Sequence, residues 1–388
     1  MTVAAPRRGL TLLAALFVAA LALRPQLVGT GPLLPDIKSD LGVSHAVVGL
    51  LGTIPVLCMG VFAPSAARLA GRFNLRTVVT VCVAAVAVFG LARAAVPGAP
   101  LLLALTLPIG VGMAIAGALL PMAVKARFPD RPVFASGVCT TGLNLGAALS
   151  SAAAVPAASA FGGWRGALAA FSVVAALQCA GWVALSRGAW TERSAEWARM
   201  PLRRPVVWMI VSVFALQSLV YYGITTWIAD AFQERGWSAG TAGALLAAMG
   251  LSTVPGGLLV PWLADRFGTR RQWLIAMTCT VGVATFGLAA VPGAGFAWAA
   301  LVGAAIGAVF PLCLAMCLDV AHEPAEAGAA AALMFVGGYL FAALAPLGLG
   351  AVRDLTGSFS ASLWALFGTA LLLVGACLPL NATRLRPA

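Results

Sequence analysis

Charge is scarce in this sequence, and histidine is almost absent. Only 9% of the 388 residues are charged, and the two histidines are His45 and His322. Soluble domains carry about 25% charge, so the composition excludes an ordinary water-soluble protein. Because 61% of the residues are apolar, the chain has too little polar surface to cover itself in water. We therefore predict an integral membrane protein.

The residue sets that enzymes and metal sites need are also missing. The eight cysteines all lie in apolar runs and include no CxxC pair, a pattern typical of small fillers at helix interfaces. The 12 acidic residues lie in loops or at the ends of apolar runs. No intramembrane Ser–His–Asp set or carboxylate pair is present. We expect no enzyme activity, no metal and no cofactor, and the two histidines are expected to be helix-end residues.

Long apolar runs recur along the whole chain. A membrane-spanning helix needs about 20 mostly apolar residues, and twelve such runs occur, which predicts an all-α membrane protein. The runs lie near 9–33, 44–67, 77–96, 100–124, 133–157, 166–186, 204–229, 238–262, 272–291, 296–318, 325–350 and 360–380.

Basic residues are distributed unevenly between the connections. With the N-terminus inside, 18 of them fall on the inner side and five on the outer side, the five being Lys38, Arg93, Arg165, Arg235 and Arg353. Such a bias predicts that both termini are cytoplasmic. It also explains the net charge of +12 through anionic lipid headgroups, so we expect no nucleic-acid partner.

The two halves of the chain repeat each other. Gly42-Val43-Ser44 matches Gly236-Trp237-Ser238 at an offset of 194 residues, and the segment 69–73 matches 263–267 at the same offset. We therefore predict two pseudo-symmetric six-helix bundles, residues 1–190 and 204–388, joined by a cytoplasmic loop at 191–203.

Two stretches of the sequence resemble known transporters. The segment from Leu263 to Arg271 reads LADRFGTRR and is similar to the inner-loop signature of the major facilitator superfamily. In the first copy of this loop, Gly71 replaces the aspartate. The stretch RPQLVGTGPLLPDI, which begins at Arg24, resembles the cyanate/nitroimidazole porter (CynX/NimT) family. The resemblance implies the major facilitator fold and transport by alternating access.

One basic residue, Arg24, falls inside the first apolar run. A central arginine opposes insertion by roughly 2.5–3.5 kcal/mol, so its presence needs a reason. Its planar fork suits a carboxylate or another small anion. Two hypotheses stay open: Arg24 binds the solute, or it braces neighbouring helices through their carbonyl groups.

Other polar side chains near the middle of predicted spans are candidates for the same site. The repeat places the seventh run opposite the first, with Gln217, Tyr221 and Tyr222 near the level of Arg24. Adjacent tyrosines cannot share a helix face, so we expect at most one of them to face the solute. Asn144 and Tyr339 match at an offset of 195, and they either line the site or bond between helices.

Two groups of residues are candidates for gates. Gly31 and Pro32 loosen the outer part of the first span, either as a hinge or as ordinary small-residue packing. On the inner side, the resemblance implies that Asp265 pairs with a helix N-terminus or an arginine of the other bundle, with the start of the fifth span as its symmetry-related partner. Arg266 and Arg270 belong to the same loop, and the alternative is that these charges only set the topology.

The function predicted on these grounds is secondary transport across the inner membrane. The expected solute is small and anionic or carboxylate-bearing, such as a cyanate-like anion, a monocarboxylate or an amino acid. The alternative is a multidrug-type exporter of small compounds such as nitroimidazoles. No mid-span carboxylate or histidine marks a coupling ion, and the direction of transport stays open. We expect a monomer in the lipid bilayer.

Overall fold

Helices dominate the computed structural model, which describes residues 6–128, 132–190, 201–267, 270–320 and 324–380. Within these ranges, 12 helical segments are long and apolar enough to cross a membrane. The prediction of twelve spans is therefore confirmed. An even number of spans brings both ends of the described chain to one end of the bundle. We call it the terminal end and the opposite one the distal end.

The spans alternate in direction and are joined by short connections. In the first half, the helices are Pro6–Ala22, Pro25–Val28 and Leu34–Leu41 for the first span, then His45–Phe62, Leu75–Ala94, Ala99–Arg127, Pro132–Ala160 and Trp164–Leu185, with the short connecting helix Ser65–Phe73. In the second half, they are Pro205–Glu234, Ala239–Phe267, Arg270–Ala290, Gly295–Asp319, Pro324–Ala342 with Leu344–Thr356, and Phe359–Cys377.

The first and seventh spans reach further than the apolar runs predicted. The first apolar segment extends to Leu41 and the seventh to Glu234. Their added turns are amphipathic, because Leu34 and Ile37 are buried while Asp36 is exposed. The length of an apolar run therefore underestimates the length of a helix whose last turns bury only one face.

The first span is broken at its proline and glycine residues. Pro25 has no N–H group, so Arg24 becomes the N-cap of the short helix Pro25–Val28. The chain then passes through the 3₁₀ turn Gly31–Leu33 before the helix resumes. The expected loosening of this part is present. It places Arg24 at a helix break, near the middle of a 33-residue membrane segment.

Close backbone approach joins the first six spans to the last six toward the distal end. A Cβ atom on Gly31 would stand 2.7 Å from the carbonyl oxygen of Thr225, and one on Gly49 would stand 2.6 Å from that of Pro346. The hydroxyl of Thr53 donates to the carbonyl of Ala343 at 2.9 Å, where the eleventh span is interrupted. Only glycine permits such approaches, so the distal end is closed in this structure.

Candidate solute site

Arg24 lies beside two tyrosines of the last six spans, and a third tyrosine packs against one of them. Its Nη1 atom donates a hydrogen bond to the hydroxyl of Tyr222 at 3.2 Å. Its Cζ atom lies 5.9 Å from the ring centroids of both Tyr221 and Tyr222. The ring of Tyr339 lies 6.2 Å from that of Tyr222. Four of the predicted site residues are therefore brought together from the two halves of the chain.

Both members of the tyrosine pair lie near Arg24, and the expectation that at most one of them faces the solute stays a prediction. Their ring centroids are 5.0 Å apart and their planes meet at 83°. Adjacent helix residues point about 100° apart, and the long side chain of Arg24 ends in the angle between them. Tyr222 is buried, whereas Tyr221 keeps accessible surface.

The two tyrosines differ in hydrogen bonding, and this gives a testable difference. We expect Tyr222→Phe to weaken solute binding about two- to tenfold, because it removes the hydroxyl that orients the guanidinium. Tyr221→Phe is the matched control and should change affinity little, since no described hydrogen bond involves its hydroxyl. Titration of both purified variants with the same solute measures the difference, and equal losses would contradict the assignment.

Arg24 lacks a counter-charge among the described residues. The hydrogen bond to Tyr222 is the only one described for its side chain, and none of the described ion pairs includes it. An unpaired cation in a low-dielectric environment generates a strong positive potential. Arg24, Tyr221 and Tyr339 keep part of their surface accessible. The site is thus electrostatically suited to a small anion.

A second arginine, Arg93, braces neighbouring helices through a carbonyl group, the role that one hypothesis gave to Arg24. Arg93 is fully buried in the third-span helix. Its guanidinium donates to the backbone carbonyl and the side-chain Oε1 of Gln26, at 3.1 and 2.8 Å, and to the hydroxyl of Thr106 at 3.2 Å. The carbonyl of Gln26 also accepts a hydrogen bond from the hydroxyl of Thr30. Arg93 therefore stabilises the break in the first span.

The placement of Arg93 in an outer connection is wrong. The residue belongs to the last turn of the helix Leu75–Ala94 and has no exposed surface. A charged residue near the end of an apolar run cannot be told from a loop residue unless its partner is known. That partner, Gln26, is 67 residues away in sequence.

Gln217 is buried one helical turn before Tyr221. Its Nε2 atom donates to the hydroxyl of Ser218 at 2.8 Å. Its Oε1 atom is buried and has no hydrogen-bond partner among the described residues. A buried carbonyl oxygen without a partner is costly, so this atom is free to accept an N–H group. No described contact joins Gln217 to Arg24.

Asn144 lies on the face of the fifth span that meets the eighth. It shares this face with Ala148 and Gly137, because residues four and seven positions apart line up on a helix. Ala148 lies against Gly250, and Gly137 lies near the side chain of Leu258. The half-buried Asn144 side chain makes no hydrogen bond to the described residues. It stands at the junction of the two halves, without a described contact to Arg24.

Gly31 and Pro32 lie where the first span meets the seventh and eighth spans. Gly31 faces the carbonyl of Thr225, and the ring of Pro32 stands 3.7 Å from where a Cβ of Gly243 would be. The two residues are buried. This position suits the proposed distal gate.

A methyl group at Gly31 is expected to oppose closure of the distal end. Gly31→Ala would place a carbon 2.7 Å from the oxygen of Thr225, so the spans must separate. Gly348→Ala is the matched control, since nothing lies within 4 Å of that site. We expect cysteine probes at the distal end to react faster in Gly31→Ala and at the parental rate in Gly348→Ala. Equal rates in both variants would argue against a gate here.

At the terminal end, the predicted gating charges contact the last six spans. Arg270 forms an ion pair with Asp319. The guanidinium of Arg266 lies 5.6 Å from the ring of Trp262 and 5.4 Å from that of Phe267. The side chain of Asp265 and the first side chains of the fifth span lie outside the described part. The proposed lock between them stays a prediction.

Sequence reasoning missed a polar cluster at the distal end. His45 is the first residue of its helix, as expected, but it is also buried between Asp230 and Asp354. A signal was available in the sequence, because His45 begins its apolar run while Asp230 and Asp354 follow theirs, which places all three on the same side of the predicted membrane.

Twelve membrane-crossing helices, with a polar site at mid-depth between the first six and the last six, define a membrane transporter. The family model of the Major Facilitator Superfamily matches residues 10–346, and a second match covers residues 231–386. The chain belongs to this superfamily, and it is a multi-pass membrane transporter rather than an enzyme. The predicted major facilitator fold is confirmed.

Relatives support the narrower resemblance seen at Arg24. The chain is 31% identical to the 2-nitroimidazole transporter of Escherichia coli (strain K12) over 360 residues, which is 91% of each chain. It is also 31% identical to the cyanate transport protein CynX of the same organism over 352 residues, 90% of this chain and 91% of that one. The predicted relation to the cyanate/nitroimidazole porters is confirmed.

Solved structures share the fold at low sequence identity. A bacterial homologue of the human lysosomal transporter Spinster, in an inward-facing and occupied conformation, has a TM-score of 0.77 at 16% identity, covering 97% of this chain and 96% of that one. A D-xylose–proton symporter has a TM-score of 0.77 at 16% identity, with 98% and 99% covered.

Proposed function

We propose that this transporter moves a small anion or carboxylate-bearing solute, and that Arg24 provides the charge that binds it. The observation that carries the proposal is a half-buried guanidinium with no carboxylate partner among the described residues. Desolvating a charge is expensive, and a solute anion supplies the missing counter-charge. The planar fork adds two parallel hydrogen bonds to a carboxylate or a similar anion.

The rings around Arg24 set the expected shape of the solute. Tyr221, Tyr222, Tyr339 and Phe335 form a series of contacting rings, with Phe335 and Tyr339 stacked at 5.8 Å. Aromatic walls favour flat molecules. One relative of this chain is named for cyanate transport. Cyanate is a small linear anion, and its negative charge complements the positive charge of the site. We propose Gln217 and Asn144 as further polar positions along the solute path.

The same rings favour a second candidate, export of small neutral aromatic compounds. A relative of this chain is named for 2-nitroimidazole, which is a flat ring with a nitro group that accepts hydrogen bonds. In that case Arg24 would hydrogen-bond the nitro oxygens, and the aromatic contacts would supply most of the affinity.

The proposed transport cycle rocks two six-helix bundles, residues 1–190 and 204–388, around this site. Segment 191–203 is the proposed connection, and residues 191–200 lie outside the described part. On the positive-inside rule, we place the terminal end in the cytoplasm and the protein in the cytoplasmic membrane. The distal gate is then the outer gate, with Gly31 and Pro32 in it and Asp265, Arg266 and Arg270 at the inner side. We expect a monomer.

A thermal-shift screen of the purified protein separates the two candidates. The compounds are cyanate, nitrate, short monocarboxylates, amino acids and 2-nitroimidazole, at constant ionic strength. Ligands stabilise the state that binds them in proportion to occupancy. Stabilisation by anions supports the first proposal. Stabilisation by 2-nitroimidazole, with no effect of any anion, would replace it by the exporter.

A further inference from the structure

The closed distal end brings a histidine of the first half between two aspartates of the second half. The Nδ1 atom of His45 lies 2.7 Å from Oδ1 of Asp354, and its Nε2 atom lies 3.8 Å from Oδ2 of Asp230. The imidazole is buried, with 7% of its side-chain surface exposed. Trp227 and Phe359 pack against the ring, with centroids 5.9 and 5.4 Å away. The imidazole is thus shielded from bulk water, whereas Asp354 on its outer side is exposed.

The hydrogen bonds of Asp354 fix which nitrogen of His45 carries the hydrogen. Asp354 accepts N–H groups from His45 and Ala46 at the first turn of the second-span helix, at 3.1 and 2.9 Å. A helix N-terminus favours a carboxylate in its charged form. A charged carboxylate at 2.7 Å accepts from Nδ1–H, so the neutral ring presents the lone pair of Nε2 on its other side.

That lone pair faces an oxygen that also lacks a hydrogen. Oδ2 of Asp230 is buried and has no hydrogen-bond partner among the described residues. A lone pair directed at a buried carboxylate is repulsive, and each buried acceptor without a partner costs free energy. One added proton, on Nε2 or on Oδ2, removes the repulsion, and a closure of a few tenths of an ångström from the present 3.8 Å then gives a hydrogen bond between the two atoms.

From this geometry we infer that the closed distal end binds one proton between Nε2 of His45 and Oδ2 of Asp230, and that this proton is a coupling ion of the transporter. The two atoms belong to different halves of the chain, so opening of the distal end takes the site apart. By linkage, proton uptake favours closure to the same extent that closure favours proton uptake. The site does not depend on which solute Arg24 binds.

Among the charged groups around the cluster, the His45–Asp230 pair is the one that gains a contact by binding a proton. Lys38 of the first span and Arg353 of the eleventh act on both residues electrostatically. Glu234 of the seventh span also acts on Asp230. Glu234 is itself satisfied, by Nε of Arg353 and the hydroxyl of Ser358, both at 2.8 Å. It therefore has no need of an added proton.

The test is the pH dependence of distal closure in the full-length protein without solute. Spin labels at exposed positions Ala160 and Ala290, on distal helix ends of the two halves, report their separation by double electron–electron resonance. The native cysteines are replaced, and the protein is held in lipid nanodiscs from about pH 5 to about pH 8, the range in which histidine titrates.

In the parental protein, the short-distance population should rise as the pH falls. Asp230→Asn should remain closed across the range, because its amide donates to Nε2 without a proton. His45→Gln should lose the response to pH. Glu234→Gln is the matched control, one helical turn from Asp230, and should keep the response.

Constant populations in the parental protein would overturn the inference, and so would a response that survives in both Asp230→Asn and His45→Gln. Loss of the response in Glu234→Gln would also overturn it, because the proton would then belong elsewhere. If one of the two variants does not fold, the other decides. Since no solute is present, these outcomes are separate from failure of the proposed anion site.

Discussion

Replacing Arg24 with alanine is expected to abolish anion binding while the protein stays folded. Each hydrogen bond to a charged group contributes about 1.5–3 kcal/mol, so loss of a two-bond contact weakens affinity by about a hundredfold or more. The described side-chain hydrogen bond of Arg24 goes to the hydroxyl of Tyr222 and to no backbone carbonyl. Removal of Arg24 therefore leaves no buried carbonyl unpaired. Titration calorimetry and the solute-free melting temperature measure the two effects.

Arg24→Lys is the conservative variant for the same site. It keeps the charge but loses the planar fork, so affinity should fall by less than in Arg24→Ala. A large drop in the solute-free melting temperature of Arg24→Ala, with affinity kept in the folded fraction, would instead make Arg24 a brace.

Replacing Arg93 with alanine should give the largest loss of stability. The change leaves Oε1 of Gln26 and the hydroxyl of Thr106 without this buried donor, and it leaves the carbonyl of Gln26 with Thr30 alone. Breaking a buried charged contact costs about 3–5 kcal/mol. We expect a fall of several degrees in the solute-free melting temperature, with anion affinity retained at low temperature.

Arg72 provides the matched control for Arg93. It is exposed, and its guanidinium lies 5.2 Å from the ring of the adjacent Phe73. Arg72→Ala should leave the melting temperature within about a degree, as surface substitutions usually do. Gln26→Ala combined with Arg93→Ala should cost less than the sum of the two single changes, because both remove the same contact. Strict additivity would show that the contact contributes nothing.

Most of the fold is predictable from this sequence because few kinds of structure can cross a membrane. A helix must satisfy its own backbone in lipid, so apolar length alone identifies the spans. Gly31 and Pro32 indicated an irregular outer part of the first span, where the 3₁₀ turn Gly31–Leu33 lies, because both residues act on their own backbone; the break at Pro25 was not predicted. Arg24 stood out for the same reason: a charge inside an apolar run needs no partner to be noticed.

Contacts between distant segments were not predictable in this way. His45 and Asp354 are 309 residues apart, and each resembles an ordinary polar cap at the end of an apolar run. The repeat placed Gln217 and the tyrosine pair near Arg24 in depth, but it did not give their directions. The directions of these side chains depend on how each helix is rotated about its axis and on the interruption at Pro25. No pattern in a single sequence gives that rotation.

The most direct test of the anion site is a charge-preference measurement on the parental protein and Arg24→Ala. Acetate and benzoate are titrated beside their neutral counterparts, acetamide and benzamide, and cyanate and 2-nitroimidazole are titrated as a further anion and a further neutral compound, all at one ionic strength. A solute that pairs with Arg24 gains a charge-assisted contact of about 1.5–3 kcal/mol. The parental protein should therefore bind its best anion about tenfold to a hundredfold more tightly than the neutral counterpart, and Arg24→Ala should show no such preference. The same anion preference in both proteins, or tighter binding of the neutral compounds by the parental protein, would contradict the account.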